Sequence, residues 1–170
     1  MTFPTRLLRL PTDPLGWNGR LLIPAEAVAA IGHDGKRRYV IRVEGMPAWH
    51  GALTSDGDGG HYVIFSKERQ RALEAADLDP ERLTVHLEVD DSRYGAPMPE
   101  EFAAVLAEDA LADTYFHELT PGRQRNVLYL IGRYKTSDTR LRKAVAIAEY
   151  LAEARGQLDF KELGEWMRGR

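Results

Sequence analysis

Polar and apolar residues alternate over residues 38–44, with Tyr39, Ile41 and Val43 on one face and Arg38, Arg42 and Glu44 on the other. That period of two predicts a half-buried strand. Leu83, Val85, Leu87 and Val89 repeat the pattern. Shorter β-prone runs cover residues 5–10, 17–23, 48–53 and 61–65, and Pro11 and Pro24 end the first two. The last two read as a hairpin around the Gly/Asp-rich loop 55–60. Two short helices are predicted between strands, one over residues 25–31 that stops at Gly32 and one that starts after Ser66. Beyond the polar, Pro-containing linker 90–99 the period changes to that of helices.

The helical part opens with Glu100 and Glu101, acidic residues that suit the first turn of a helix. Phe102, Val105 and Leu106 form its inner stripe. Asp109 caps the next helix, with Leu111, Tyr115, Phe116 and Leu119 expected inside. Thr120 and Pro121 mark a further start, a cap followed by Pro at the first helical position. Val127, Leu128, Ile131 and Tyr134 follow at helical spacing. The Thr136-Ser137-Asp138-Thr139 break then begins a second helix, whose stripe reads Leu141, Val145, Ala148 and Leu151 or Ala152. This αα-hairpin is followed by Gly156 and a short amphipathic end carrying Leu158, Phe160, Leu163 and Trp166.

Residues 22–31 align without gaps on residues 64–73, sharing Glu26/Glu68 and Ala30/Ala72. Each copy is a strand, a sharp stop at Pro or Ser, a short helix and then an alternating strand. Neither copy can bury its apolar strand face alone, so the two are expected to pair into one small barrel. The fold class is therefore α+β: a split β-barrel over 1–92, then a helical module over 97–168.

Charge divides the chain in a similar place. Residues 1–120 hold 12 Lys+Arg against 20 Asp+Glu, a net −8, and residues 121–170 hold 11 against 6, a net +5. The positive charge concentrates on the αα-hairpin. Arg123, Gln124 and Arg125 stand at the start of its first helix, and Lys135, Arg140 and Arg142 lie around the turn. Free N–H groups at a helix start, together with Arg side chains, suit a phosphate or carboxylate. These six residues are the candidate ligand- or partner-contacting set. The alternative is that Arg123, Arg125 and Arg140 dock the hairpin on acidic residues such as Glu118 or the carboxylates of the barrel. Nucleic acid is disfavoured as a partner because the front of the chain is acidic, which opposes phosphate-backbone contact.

The motif Leu119-Thr-Pro-Gly-Arg-Gln-Arg-Asn126, continued by Tyr129-Leu-Ile131, Lys135 and Thr139-Arg140-Leu-Arg142, resembles the C-terminal signature of the bacterial YdeI/OmpD-associated family. Gly132-Arg133-Tyr134 replaces that family's more usual small residues before the Lys. The front of the chain resembles domain-of-unknown-function family 1905. It does so through Ile23-Pro24-Ala25-Glu26-Ala27-Val28, Val43-Glu44-Gly45-Met46-Pro47, Ser66-Lys67-Glu68 with Arg71-Ala72-Leu73, and residues 97–106. The resemblance implies a double-split β-barrel like those of AbrB-type regulators, with both halves in one chain. It also implies a stress-adaptation role linked to bacteriocin protection, with no reaction and no ligand attached.

Other chemistry finds little footing. His33, His50, His61, His86 and His117 show no ligand spacing, although His50 and His61 could face each other across the 48–65 hairpin. Asp56-Gly57-Asp58-Gly59 mimics the start of a calcium loop, but its twelfth position is Lys67. Trp17, Trp49 and Trp166 read as core or half-buried fillers. No metal or cofactor is expected. No nucleophile elbow, P-loop or dinucleotide fingerprint is present, and the chain reads as a non-enzymatic binding protein. The alternatives are a nucleic-acid-binding regulator and an uncharacterised enzyme. The absence of cysteine fits a reducing cytoplasm. The start of the chain has no long apolar stretch and predicts no secretory leader. No run of 18 apolar residues predicts membrane insertion.

Overall fold

The computed structural model describes residues 1–10 and 19–168. Two compact units divide between Asp91 and Ser92. Pro11, Asp13, Pro14 and Gly16, which read from the sequence as a turn-rich loop, and Trp17 with its place as a filler lie outside the described residues.

Among its described residues the first unit has eight strands and two helices: β1 (Thr2–Thr5), β2 (Leu7–Arg9), β3 (Gly19–Ile23), α1 (Ala25–Ala30), β4 (Arg38–Val43), β5 (Trp49–Ala52), β6 (Thr54–Ser55), β7 (His61–Ile64), α2 (Lys67–Ala75) and β8 (Leu83–Val89). They form two open four-stranded antiparallel sheets, in the orders β1-β8-β4-β5 and β2-β3-β7-β6. Neither sheet closes on itself, so the expected single barrel is replaced by two sheets. The chain passes from the first sheet to the second at Arg6 and at Leu53, and returns each time through the segment that carries a helix, α1 and then α2.

The internal repeat accounts for this order. Exchanging β1 with β5, β2 with β6, β3 with β7 and β4 with β8 turns each sheet into itself, read backwards. Leu21 stands opposite Val63, its own counterpart in the repeat, and β4 pairs with β8 from Tyr39↔Val89 to Val43↔Val85. The alternating faces behave as read except at the end of β8: Tyr39, Ile41, Val43, Leu83, Val85 and Leu87 are buried together with Leu21, Ile23, Val63 and Phe65, whereas Val89, expected on the same face, is 39% exposed. Ser66 caps α2 by accepting a hydrogen bond from the Arg69 amide at 3.3 Å.

The 48–65 hairpin differs from expectation. Only β6 pairs with β7, while β5 belongs to the other sheet beside β4. His50 and His61 therefore lie on different sheets. His50 Nδ1 instead meets Asp90 Oδ2 at 2.7 Å, with the Asp90 side chain buried. His61 stands edge-on to His33, the ring centroids 5.2 Å apart, and His33 Nδ1 lies 2.7 Å from the Tyr39 hydroxyl. The Asp/Gly loop is a β6–β7 turn in which Asp56 Oδ1 accepts from the amides of Asp58 and Gly60.

The second unit is helical: α3 (Glu100–Glu108), α4 (Ala110–Glu118), α5 (Pro121–Gly132), α6 (Ser137–Glu153) and α7 (Phe160–Arg168). Asp109 Oδ1 caps α4 through the amides of Leu111 and Ala112, and Thr136 caps α6 through the Thr139 amide. Thr120 has the backbone of a cap, yet its hydroxyl bonds no helix amide. Phe102 and Phe116 meet edge-to-face at 5.1 Å in the core.

The central helix is α6, with α3, α4, α5 and α7 all packed on it. Its buried residues are Ala144, Ala146, Ile147, Ala148, Tyr150 and Leu151. Small residues at 144 and 148 let neighbouring helices approach closely, which widens the buried face. The strip left outside is Leu141, Val145 and Glu149. Leu141 and Val145, expected in the core, are 44% and 40% exposed. Leu111 is likewise outside, at 51%, because Ala112 and Phe116 supply the inner face of α4.

Candidate functional site

The six residues chosen from the sequence separate into two groups along α5. A helix of 12 residues spans about 18 Å, so Arg123, Gln124 and Arg125 at its start stand well apart from Lys135, Arg140 and Arg142 beyond its end. They do not converge on one pocket.

Gln124 is buried, and its amide nitrogen donates to the carbonyls of Phe116 at 3.0 Å and His117 at 3.3 Å. Those carbonyls belong to the last turn of α4, which leaves such groups without helical partners. Gln124 is therefore a side-chain cap for the preceding helix. Arg123 is exposed, and its charge helps to lower the Asp159 pKa, after the amides of Glu162 and Lys161. Arg125 is half-buried and folds back along the first turn: a Cβ added at Gly122 would stand 3.9 Å from its Nη2.

Arg140 is the most heavily bonded residue of the set. Its Nε donates to both Glu101 oxygens at 3.0 Å, and its Nη2 donates to Oε1 at 2.8 Å. Its Nη1 donates to the Tyr134 and Lys135 carbonyls, each at 3.2 Å. Ser137 Oγ adds a 2.6 Å hydrogen bond to Glu101 Oε1. One guanidinium thus ties the start of α3 to the end of α5 and the start of α6. The Arg140 hydrogen bonds, with Ser137 second, hold the Glu101 carboxyl down to about 2, and the same pair raises Arg140. Arg140 thus docks on an acid, but on Glu101 of α3 in place of Glu118 or a carboxylate of the front unit. Lys135 and Arg142 are exposed. Arg142 makes only a solvent-facing 3.4 Å contact with Asp138 and a long one with Thr139.

A cleft of about 470 Å³ opens beside this knot. Pro97, Met98 and Pro99 form one wall and Leu128 and Tyr129 the other. The Glu101–Arg140 pair and Gly132 complete the lining, and Glu100 stands at the rim. Tyr129 is 44% exposed. Sequence reasoning missed this cleft because its walls come from three separate stretches of chain. The available signal was Glu101, an acidic first-turn residue. Among the described residues no group of three His, Asp or Glu side chains is arranged to hold a metal, and no helix is long and apolar enough to cross a membrane.

Residues 96–154 match the family described as Bacteriocin-protection, YdeI or OmpD-Associated. Over those residues the helical unit is similar to the YdeI/OmpD-associated family. The match takes in α3 through α6, and so the whole of the Arg140 knot and of the cleft lining. Within the matched stretch Gln124 and Arg140 hold helices together, and Arg123, Lys135 and Arg142 face outward. No curated protein and no solved structure matches the chain.

Proposed function

We propose that the chain is a non-enzymatic binding protein whose YdeI/OmpD-associated module contacts a protein partner through the outer face of α6. The observation that carries this reading is the strip Leu141–Val145, two large apolar side chains exposed on the best-buried helix of the unit, with Arg142 beside them. Together with Ala146 and Glu149 they line a shallow depression of about 410 Å³. An apolar centre with an Arg at its edge is the composition of protein contact surfaces. The outward basic residues Arg123, Lys135 and Arg142 then supply orientation and encounter rate, with Arg125 beside them. A small-anion pocket is less well supported, since these cations diverge.

The family description names bacteriocin protection, and a binding role in stress adaptation, in the cytoplasm, is the form in which we extend it to this chain. The likeness of the front unit to family 1905 and to AbrB-type double-split barrels is part of the same proposal. Its support is the two-fold exchange of strands between the repeat copies. The test is affinity capture from cells with wild type and with Leu141→Asp/Val145→Asp. A partner retained by wild type and lost by the double variant supports the reading. Retention by both, or salt-sensitive DNA binding that Arg123→Ala/Arg125→Ala abolishes, replaces it with another face or with the regulator alternative.

A further inference from the structure

We propose that the cleft between the Pro97–Pro99 wall and α5 receives a lysine or arginine side chain carried on an extended segment of the partner protein. This rests on the reading of the module as a protein-binding unit and adds a second contact to it.

The sign of the charge follows from what the cleft leaves unsatisfied. Among the described residues the one cation lining it is Arg140, and all three of its nitrogens already donate, to Glu101 and to two backbone carbonyls. Glu101 is neutralised by the same pair. The charged group that remains open is the Glu100 carboxylate, which is exposed and has no ion-pair partner among the described residues. The Tyr129 hydroxyl also has none, and its ring presents an aromatic surface on the same cleft. A carboxylate beside an aromatic ring attracts ammonium and guanidinium groups. Pro97, Met98 and Pro99 offer apolar surface for the methylene stem of such a side chain. An anionic guest would meet no open donor cation here. The volume lies in the range of sites that enclose several groups, which leaves space for residues flanking the basic one.

The test uses the full chain, with heteronuclear NMR titration by acetyl-Leu-Arg-Leu-amide, its Gln and Glu counterparts, and agmatine as a free guanidine. The expected result is saturable shifts at Tyr129, Gly132 and residues 98–101 with the Arg peptide. Binding of the Gln peptide should be about fivefold weaker, and Glu100→Gln should erase that preference. Gly132→Leu fills the cleft from an exposed helix end and should abolish the shifts, and Tyr129→Ala should weaken them. Equal binding of the Gln or Glu peptide, shifts confined to another surface, agmatine binding as tightly as the peptide, or no shift at all would each overturn the proposal. None of these outcomes bears on Leu141 and Val145, so the α6 reading stands or falls separately.

Discussion

Replacing Gln124 with Ala tests the claim that this residue of the basic motif is a structural cap. The substitution removes the nitrogen that donates to the Phe116 and His117 carbonyls at the end of α4. The Phe116 carbonyl keeps the Leu119 amide at 3.3 Å, whereas that of His117 loses its side-chain donor. One replaceable and one unreplaced hydrogen bond at a buried helix end cost about 2 kcal/mol. For a unit of this size that corresponds to a fall in Tm of about 8–16 °C. Arg123→Ala, one residue away and exposed, should stay within about 0.5 kcal/mol of wild type. Thermal unfolding followed by circular dichroism provides the comparison, and hydrogen exchange of the α4–α5 segment should locate the loss there. A Gln124→Ala protein as stable as Arg123→Ala would refute the capping role and return Gln124 to the list of ligand-facing residues.

The Glu101–Arg140 knot predicts an acid-sensitive helical unit. Glu101 has its pKa lowered to about 2 from 4.5, so the pair's stabilisation is complete above the ordinary value and is lost as pH falls from about 4.5 towards 2. Acid unfolding of Glu101→Gln should lack this component, and an unchanged acid transition would count against the knot. Gly19→Ala places a Cβ 2.9 Å from the Phe65 carbonyl oxygen and 3.0 Å from Gln70 Nε2. It should destabilise the sheet unit by about 1–3 kcal/mol in urea unfolding, and a neutral result would mean that the β3 and β7 ends separate freely. Leu141→Asp/Val145→Asp should leave stability within about 1 kcal/mol of wild type, since both positions face solvent. A large loss in the same urea assay would show that the strip is part of the core.

The elements most legible in the sequence were those fixed by local rules. The alternation of Tyr39, Ile41 and Val43 gave a buried strand face, and Ser66, Asp109 and Thr136 capped their helices as their chemistry requires. The repeat at 22–31 and 64–73 also carried real information, since its copies exchange symmetrically in both sheets. It did not reveal that the chain changes sheets at Leu53, because a corner of one residue leaves the alternation of β5 and β6 nearly intact. The αα-hairpin was legible as an element but not in its facing. A stripe through Leu141 and Val145 is as regular as the true one through Ala144, Ile147 and Leu151, and only the packing of four helices on α6 decides between them. The site was least legible where partners are distant: Arg140 finds Glu101 39 residues away, and His50 finds Asp90 40 residues away. Both pairings are tertiary facts with no local signature.

The account turns on the outer face of α6, and site-specific photocrosslinking tests that face most directly. A photoreactive residue placed at position 145 of the full chain, with a second protein carrying it at position 123 as comparison, reports which surface a partner touches in the cell. The account predicts a discrete protein adduct from position 145 that disappears when Leu141→Asp is added. Adducts from position 123 alone, or nucleic-acid adducts from either position, would contradict it.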